Sequence, residues 1–384
     1  MTFANGSQAV MPKRLVICAD GTWNFRDQAA RRTGRRRPSN VTKVARAINS
    51  VADDGWHQIV FYLEGVGTNG GLDKLTGGAF GRGLEENVRS LYRAIAYNYN
   101  PGDEIFLFGF SRGAFTVRTL AGFLHNVGLV AKNDDFYLPE MYKCYERGHH
   151  RGSPEWERVF ARRNLGGDHR EAPPLKFVGV WDTVGALGAP GLLGQLLNRG
   201  KYKYHELRLV PEIQHAFQAL AIDERRRPFR PIIWSKADRI AGLPPWSGTL
   251  EQAWFAGVHR NVGGGEDPDG LANEALHWLV DKATQLGLSV DGEYLKHFRP
   301  CFNARQHNSM TWAYRALGTF DRDICAVRDS GECIHQSVLD RRSHGEGFKG
   351  SKKLISYLDL GAPRTATSRV SERGSPCPPD ERVG

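Results

Sequence analysis

Apolar residues are distributed along the chain in two alternating patterns, short continuous runs and longer runs with helical spacing. The short runs predict buried strands, because a strand covered on both faces has no polar side. They lie at 14–19, 58–63, 104–108, 175–181, 230–235 and 252–258. Apolar residues spaced by three and four positions predict an amphipathic helix over 84–99, and further helices are predicted over 114–126, 210–222 and 271–286.

The order of these elements predicts the α/β fold class, with a mostly parallel central sheet and helices on both faces. Two stretches interrupt the alternation, 131–173 and 186–209, and they are interpreted as insertions that form a cap or lid over the carboxyl edge of the sheet. The predicted organisation is a flexible N-terminus over 1–12, a single domain over 13–345 and a disordered tail over 361–384.

The composition is that of a globular protein, with 40% hydrophobic and 24% charged residues among 384. No apolar run approaches the ~18 residues of a membrane-spanning helix, and the N-terminus has no secretory signal pattern. The six cysteines are scattered without a C-x-x-C pair, although Cys325 and Cys333 are near enough in sequence to pair. Reduced thiols and a cytoplasmic location are therefore expected, with non-classical export left open.

The net charge is +10, and five arginines fall within Arg31–Arg37. Three interpretations of this run are open: a solvated loop, a contact with anionic lipid headgroups, and a contact with nucleic acid. No helix-turn-helix, zinc-finger or aromatic RNA-binding pattern accompanies it, so nucleic acid is the least favoured partner.

One motif carries the strongest chemical signal. Residues Gly109 to Gly113 spell G-x-S-x-G between a predicted strand and a predicted helix. In that context the serine lies on a sharp turn that exposes its hydroxyl at the carboxyl edge of the sheet. Ser111 is therefore predicted to be a nucleophile.

A serine nucleophile needs a base and an orienting carboxylate. Asp182 and His259 each follow a predicted strand, and Ser111, Asp182 and His259 stand in the chain order of α/β-hydrolase triads. His335 is the main rival base, and Asp223 is a weaker alternative to Asp182.

The oxyanion of an ester reaction needs two backbone N–H donors. One is expected from Arg112, directly after the nucleophile, and the other from Gly21 or Thr22, in the loop after the first strand. Asp20 is expected to hold that loop through hydrogen bonds, because a carboxylate beside an oxyanion would oppose it.

Two motifs point to other chemistry and are set aside. Cys18–Thr22 is similar to the D-x-D-G-T motif of aspartate-based phosphatases, but Cys18 stands at the nucleophile position. Gly65–Gly70 spells G-x-G-x-x-G, but no helix is predicted directly after it, as a dinucleotide site requires. No cofactor and no metal are predicted.

Five segments together resemble the α/β-hydrolase domain family of unknown function that is related to type VI secretion phospholipase effectors. The segments are RLVICADGTWN, FGFSRGAFTVRTLAGFL, VGVWDTVGALG, ALAIDERRRPF and WFAGVHRNVGGG, and IHQSVLDRR also fits. The resemblance runs from about residue 13 to residue 342. It implies a Ser-Asp-His lipase that cleaves glycerophospholipid esters, with Ser111, Asp182 and His259 at the matching positions.

The expected function is a cofactor-independent serine hydrolase of carboxylic esters, lipid or phospholipid esters above all. Leu192, Leu193 and Leu196 follow Asp182 closely and are interpreted either as an acyl pocket or lid or as ordinary packing. The expected partners are an ester or lipid substrate and an anionic membrane surface in peripheral contact. The alternative function is a catalytically silent hydrolase fold that serves as a binding or scaffold module.

Overall fold

The computed structural model describes residues 11–21, 24, 37–65, 77–160, 171–185, 207–240, 242–344, 352–359 and 365–366. Its strands are β1 Lys13–Ala19, β2 His57–Leu63, β3 Glu104–Phe110, β4 Leu175–Trp181, β5 His215–Ala221, β6 Thr249–Phe255, β7 Glu332–His335 and β8 Thr365–Ala366. Its helices are α1 Asn40–Ala47, α2 Gly77–Asn98, α3 Arg112–Val127, α4 Leu138–Glu146, α5 Pro154–Phe160, α6 His259–Gly263, α7 Gly270–Thr284, α8 Gly292–Leu295, α9 Trp312–Ala316, α10 Gln336–Ser343 and α11 Lys352–Asp359. Short 3₁₀ helices span Lys132–Tyr137 and Arg227–Phe229.

The strands form one sheet in the order β2-β1-β3-β4-β5-β6-β7-β8, and every neighbouring pair is parallel. This is the α/β-hydrolase-like architecture that the sequence predicts. All strands of a parallel sheet end at one edge, so the residues that follow β1, β3, β4 and β6 meet there.

Alternate side chains of the strands enter two separate cores, one on each face of the sheet. In β1, Leu15 and Ile17 pack with α2 and α3, whereas Val16 and Cys18 pack with α1 and α7. Since both faces are covered, the strands have no polar side, which is why they stand out in the sequence as continuous apolar runs.

Residues 210–222 were predicted to be helical, and this prediction is wrong. The segment contains β5, which pairs with β4 on one side and with β6 on the other. Ala219, Leu220 and Ala221 at its end suit a helix, but a central strand position between two neighbours overrides that weak preference. The predicted strand over 230–235 is also wrong, because these residues form no strand in the sheet.

The described part of the first insertion lies beside α3. The Tyr145 hydroxyl lies 3.4 Å from the carbonyl oxygen of Thr119, and the ring of Tyr142 lies 5.4 Å from that of Phe123. These contacts are with the middle and the C-terminal part of α3, so this part covers the helical layer rather than the carboxyl edge of the sheet. The predicted lid over 186–209 lies outside the described residues except at 207–209, and the predicted tail lies outside them except at Thr365–Ala366.

The cysteines depart in part from the expectation of reduced thiols. Cys18, Cys144, Cys325 and Cys333 are free, so Cys325 and Cys333 do not pair. Cys301, in contrast, is disulfide-bonded. Among the described residues, no helix is both long enough and apolar enough to cross a bilayer.

Candidate active site

Ser111 directly follows β3 and is the N-cap of α3. Its backbone has φ 57° and ψ −117°, a conformation that a residue with a side chain rarely adopts. The Ser111 N–H donates to the Trp181 carbonyl oxygen at 3.0 Å, which ties the turn to the end of β4. The strained turn therefore presents the serine at the carboxyl edge of the sheet, as a nucleophile elbow requires.

Both flanking glycines are required by close packing. A Cβ on Gly109 would lie 2.7 Å from the Cα of Ala114, and one on Gly113 would lie 2.1 Å from the carbonyl oxygen of Ala19. The first turn of α3 thus sits directly against the end of β1. A side chain at either position would force the turn apart.

Ser111, His259 and Asp182 form a continuous chain of hydrogen bonds. The Ser111 Oγ lies 2.8 Å from Nε2 of His259, and His259 Nδ1 lies 2.6 Å from Oδ2 of Asp182. All three are buried, with exposed fractions of 7% for Ser111, 4% for His259 and 0% for Asp182. When Nδ1 donates its proton to Asp182, Nε2 is left to accept the serine proton.

The His259 ring is fixed by its packing as well. Its ring centroid lies 4.6 Å from that of Phe110 and 5.0 Å from that of Phe229. His259 begins α6 directly after the N-cap residue Val258, and its backbone N–H donates to Glu224 at 3.3 Å. The imidazole is therefore held in place by two aromatic rings and by its backbone.

Arg322 is a site residue that no sequence pattern indicated. The residue is 1% exposed, and its side chain binds both oxygens of Asp182, with Nη1 2.5 Å from Oδ1 and Nη2 2.9 Å from Oδ2. It also donates to the carbonyl oxygens of Ala221 and Phe229 at 2.7 and 2.6 Å. Such a bidentate pair fixes the plane of the carboxylate.

The charges of Asp182 and His259 follow from these contacts. Burial alone would raise the pKa of Asp182, but the charge of Arg322 and the contact with His259 reverse this and hold that pKa well below its ordinary value. Burial lowers the pKa of His259 and outweighs the opposite effect of Asp182. The carboxylate is thus charged and the imidazole neutral at neutral pH, which is the state a general base needs.

Asp20 holds the loop after β1, as expected. Its carboxylate accepts hydrogen bonds from five neutral groups: the Gly21 N–H, Asn24 Nδ2, Ser39 Oγ, Thr42 Oγ1 and the Tyr62 hydroxyl. Burial raises its pKa in spite of these donors. No cationic group is among them.

Gly21 lies beside the nucleophile but does not offer its N–H. A Cβ on Gly21 would lie 3.2 Å from the Cβ of Ser111, so the loop is close enough to contact a bound ester. However, the Gly21 N–H donates to Asp20 at 2.6 Å, which corrects its prediction as an oxyanion donor in this conformation. The alternative, Thr22, lies outside the described residues.

Arg112 lies directly after the nucleophile, where the N–H groups of the first turn of α3 have no partner within the helix. Its backbone N–H therefore lies in the first turn of α3, next to the nucleophile. Burial lowers the pKa of its side chain to about 10, so the guanidinium stays charged at neutral pH.

The rival residues are engaged elsewhere. Nδ1 of His335 lies 2.8 Å from Ser337 Oγ, and its ring stacks on Phe255 at 4.3 Å at the start of α10. The carboxylate of Asp223 accepts the Gly257 N–H at 2.7 Å, and burial raises its pKa to about 6. The hydrogen bonds of Ser111 and His259 thus bring together the three residues that the sequence ranked first.

Several other predicted positions lie outside the described residues. They are Leu192, Leu193, Leu196 and the arginines at positions 31–36. Arg37, the last of that run, is described and binds Asp267 at 2.8 Å. Among the described residues, no group of three or more histidine, cysteine or acidic side chains could hold a metal ion.

Comparison with known proteins finds a family model that matches most of this chain. Residues 13–282 match the family described as "T6SS, Phospholipase effector Tle1-like, catalytic domain". An uncharacterized protein of Saccharomyces cerevisiae, YEL023C, is 26% identical over 257 residues, which are 60% of this chain and 34% of that protein.

Solved structures are similar at lower identity. An uncharacterized protein from Pseudomonas aeruginosa superimposes with a TM-score of 0.51 at 16% identity, covering 77% of this chain and 50% of that one, and this likeness concerns the fold alone. The Tle1 effector bound to the VgrG spike from the Type 6 secretion system has a TM-score of 0.34 at 20% identity, covering 66% and 51%. The chain therefore spans from about a third to about half of the length of these relatives.

Proposed function

Because the chain belongs to the family of Tle1-like phospholipase effector catalytic domains, we propose that it hydrolyses carboxylic esters of lipids with Ser111 as nucleophile. Family membership supports lipid ester hydrolysis in general. The observation that carries the finer proposal is the hydrogen-bond chain from Ser111 through His259 to Asp182, built on a strained strand-to-helix turn.

The first half of the reaction acylates the serine. Ser111 Oγ attacks the ester carbonyl carbon while Nε2 of His259 takes the hydroxyl proton, and Asp182 stabilises the imidazolium that forms. The carbonyl oxygen becomes an oxyanion that accepts hydrogen bonds from N–H groups, for which the backbone of Arg112 is the first proposed donor and Thr22 the second. The bond to the alcohol oxygen then breaks, and His259 gives the proton to that oxygen.

The second half releases the acid. A water molecule gives a proton to His259 and attacks the acyl carbon, and the collapse of the second tetrahedral intermediate breaks the bond to Ser111. His259 then returns the proton to the serine oxygen. The products are a carboxylic acid and an alcohol, which for a glycerophospholipid are a fatty acid and a lysophospholipid.

Arg322 is a positioning residue in this scheme. It binds Asp182, so it acts through the carboxylate that orients His259. Its positive charge also offsets part of the negative charge that His259 faces, which keeps the imidazole from becoming too basic to be neutral at the working pH.

The test compares the wild type with Ser111→Ala on short- and long-chain p-nitrophenyl esters, with phospholipid vesicles in parallel. We expect hydrolysis by the wild type and a loss of at least about 10³-fold in Ser111→Ala. The vesicle arm then shows whether phospholipid esters are cleaved. If both proteins are inert on every ester, the hydrolase proposal fails and the silent binding module takes its place.

A further inference from the structure

We infer that a membrane-contacting rim beside the active site, made of Trp312 and Arg315 on α9 and of Arg227 and Arg230 around the second 3₁₀ helix, binds the surface of an anionic lipid bilayer. The inference rests on the proposed function, since it supplies the surface on which a lipid substrate is found. It names a binding surface in addition to the catalytic residues.

The two segments that carry the rim are joined by packing beside His259. Phe229, between the two rim arginines, has its ring centroid 5.0 Å from that of His259 and 5.9 Å from that of Tyr314 on α9. The guanidinium of Arg226 lies over both aromatic rings, 3.5 Å from Phe229 and 5.0 Å from Tyr314. Packing thus joins the 225–230 loop to α9 as one wall of the site.

Trp312 is the most exposed large hydrophobic residue in the described part of the chain, at 84% of its surface. An indole left in water exposes a large apolar area that burial would stabilise. Tryptophan favours the boundary between lipid headgroups and acyl chains, where its ring is in an apolar medium and its N–H remains hydrated. Trp312 shares a face of α9 with Arg315, three residues on, and Tyr314 of the same helix packs against Phe229 beside the site.

The charges around Trp312 favour an anionic surface. The nearby carboxylates have partners: Glu224 binds Arg226 at 2.8 Å, and Asp321 binds Arg225 at 3.0 Å. Arg227, Arg230 and Arg315 are exposed, and no described carboxylate forms an ion pair with them. Three guanidinium groups beside an exposed indole match a bilayer that contains anionic headgroups, and each is expected to raise partitioning by about fivefold.

Other parts of the molecule offer matched controls. Phe136 is also strongly exposed, at 76%, but it lies on the 3₁₀ helix Lys132–Tyr137, which contacts the C-terminal end of α2. Arg328 has a side chain that is 90% exposed and precedes β7, so it lies toward the amino edge of the sheet. Phe136→Ala and Arg328→Glu therefore remove the same kinds of group far from the rim.

The experiment measures vesicle binding by cosedimentation, using the full chain in the Ser111→Ala background so that no lipid is consumed. Vesicles of phosphatidylcholine alone are compared with vesicles of phosphatidylcholine and phosphatidylglycerol. We expect binding only to the anionic vesicles, weakened about tenfold by Trp312→Ala, weakened about 25-fold by the charge reversal Arg315→Glu, and unchanged by Phe136→Ala and Arg328→Glu. The effect of Arg315→Glu should shrink at high salt, whereas that of Trp312→Ala should persist.

Three results would overturn the inference: equal binding to both kinds of vesicle, equal losses in the rim and control variants, or retention of DNA by the rim arginines in place of vesicles. Failure of the surface and failure of the proposed function remain distinguishable. If the chain is inert on all esters but its vesicle binding depends on Trp312, the membrane-contacting rim is supported and the proposed hydrolase function fails. If ester hydrolysis requires Ser111 but the rim variants bind vesicles as well as the unmodified rim does, the hydrolase function is supported and the membrane-contacting rim fails.

Discussion

Two buried aspartates at the same edge of the sheet have opposite electrostatic surroundings. Asp20 follows β1 and, among the described residues, accepts hydrogen bonds only from neutral groups, and its pKa is raised by burial. Asp182 follows β4 and is still more buried, but it contacts Arg322 and His259, and its pKa is lowered. The neutral donors around Asp20 therefore do not offset the free-energy cost of burying its negative charge. The cation Arg322 does offset that cost for Asp182.

The difference assigns distinct roles to the two carboxylates. Asp20 joins the loop after β1 to α1 and β2 through Ser39, Thr42 and Tyr62, so its bonds hold backbone in place. In the proposed mechanism Asp182 keeps a full negative charge facing an imidazole, and a buried partner cation makes that charge stable. A carboxylate that orients a base therefore needs a different environment from one that holds a loop.

The largest expected effect is a difference in kcat between variants of Asp182 and variants of Asp20. Asp182→Asn should lower kcat by about 10⁴-fold, because an asparagine no longer holds the His259 tautomer that accepts the serine proton. Asp20→Asn should cost at most about 10²- to 10³-fold, the effect of losing one oxyanion donor. Ester kinetics on folded samples measure both. Equal losses of kcat in Asp182→Asn and Asp20→Asn would contradict the distinct roles of the two aspartates.

Substitution of Arg322 gives the next largest expected effect, a shift in the pH dependence of activity. Removing its charge in Arg322→Met leaves Asp182 to attract a proton to His259 more strongly, so the pKa of His259 should rise. Since catalysis needs neutral His259, the acidic limb of the kcat/KM profile should move to higher pH by about one unit.

Arg322→Lys is the matched control, because it keeps the charge and loses the bidentate geometry. It should retain the wild-type acidic limb while kcat falls. Since loss of one partner of a buried ion pair costs about 3–5 kcal/mol, each variant is checked for folding by circular dichroism. An unshifted limb in folded Arg322→Met would show that Arg322 does not act through the charge of Asp182.

The stability of the fold should respond to pH with opposite signs at the two aspartates. The folded pKa of Asp182 is lowered, so its contribution is present above its unfolded pKa of about 4 and is lost as pH falls toward the folded value. The folded pKa of Asp20 is raised, so its contribution is present below about 4 and is lost as pH rises through the folded value.

Melting temperatures of wild type, Asp20→Asn and Asp182→Asn across acidic and neutral pH measure these contributions. The advantage of the wild type over Asp182→Asn should be largest at neutral pH and should shrink on acidification. Its advantage over Asp20→Asn should show the reverse trend. Parallel trends in the two variants would show that the aspartates do not differ as described.

Substitution of Asp223 gives the smallest expected effect, a change in melting temperature with pH. Its folded pKa is raised to about 6, so its contribution to stability is lost as pH rises through that value. Asp223→Asn should therefore gain in melting temperature relative to the wild type above pH 6, with kcat within about twofold because the carboxylate of Asp223 binds the Gly257 backbone rather than His259. A large loss of kcat would instead make Asp223 a candidate acid again.

Most of the sheet could be predicted because its strands are buried on both faces and read as continuous apolar runs. The failure at β5 has the same origin, since its alanines are compatible with a helix and only pairing with β4 and β6 decides the matter. The proposed nucleophile, base and acid each follow a strand, so topology alone predicts that Ser111, Asp182 and His259 meet at one edge.

The residues that sequence analysis missed depend on contacts between distant segments. Arg322 lies in a stretch without periodicity and reaches Asp182 across 140 positions of the chain, so no local pattern marks it. Gly21 was predicted as an oxyanion donor from its place after β1, but the direction of its N–H is set by Asp20. The topology of the sheet is enough to predict which residues lie at its carboxyl edge. The direction in which a backbone N–H points can be known only from the packed structure.

The most direct test of the central claim, that His259 activates Ser111, is labelling by a fluorophosphonate followed by peptide mass spectrometry. The account predicts one adduct, on Ser111, with labelling strongly slowed in His259→Ala and absent in Ser111→Ala. A wild-type chain that takes up no label, or that carries the label on a residue other than Ser111, would contradict it.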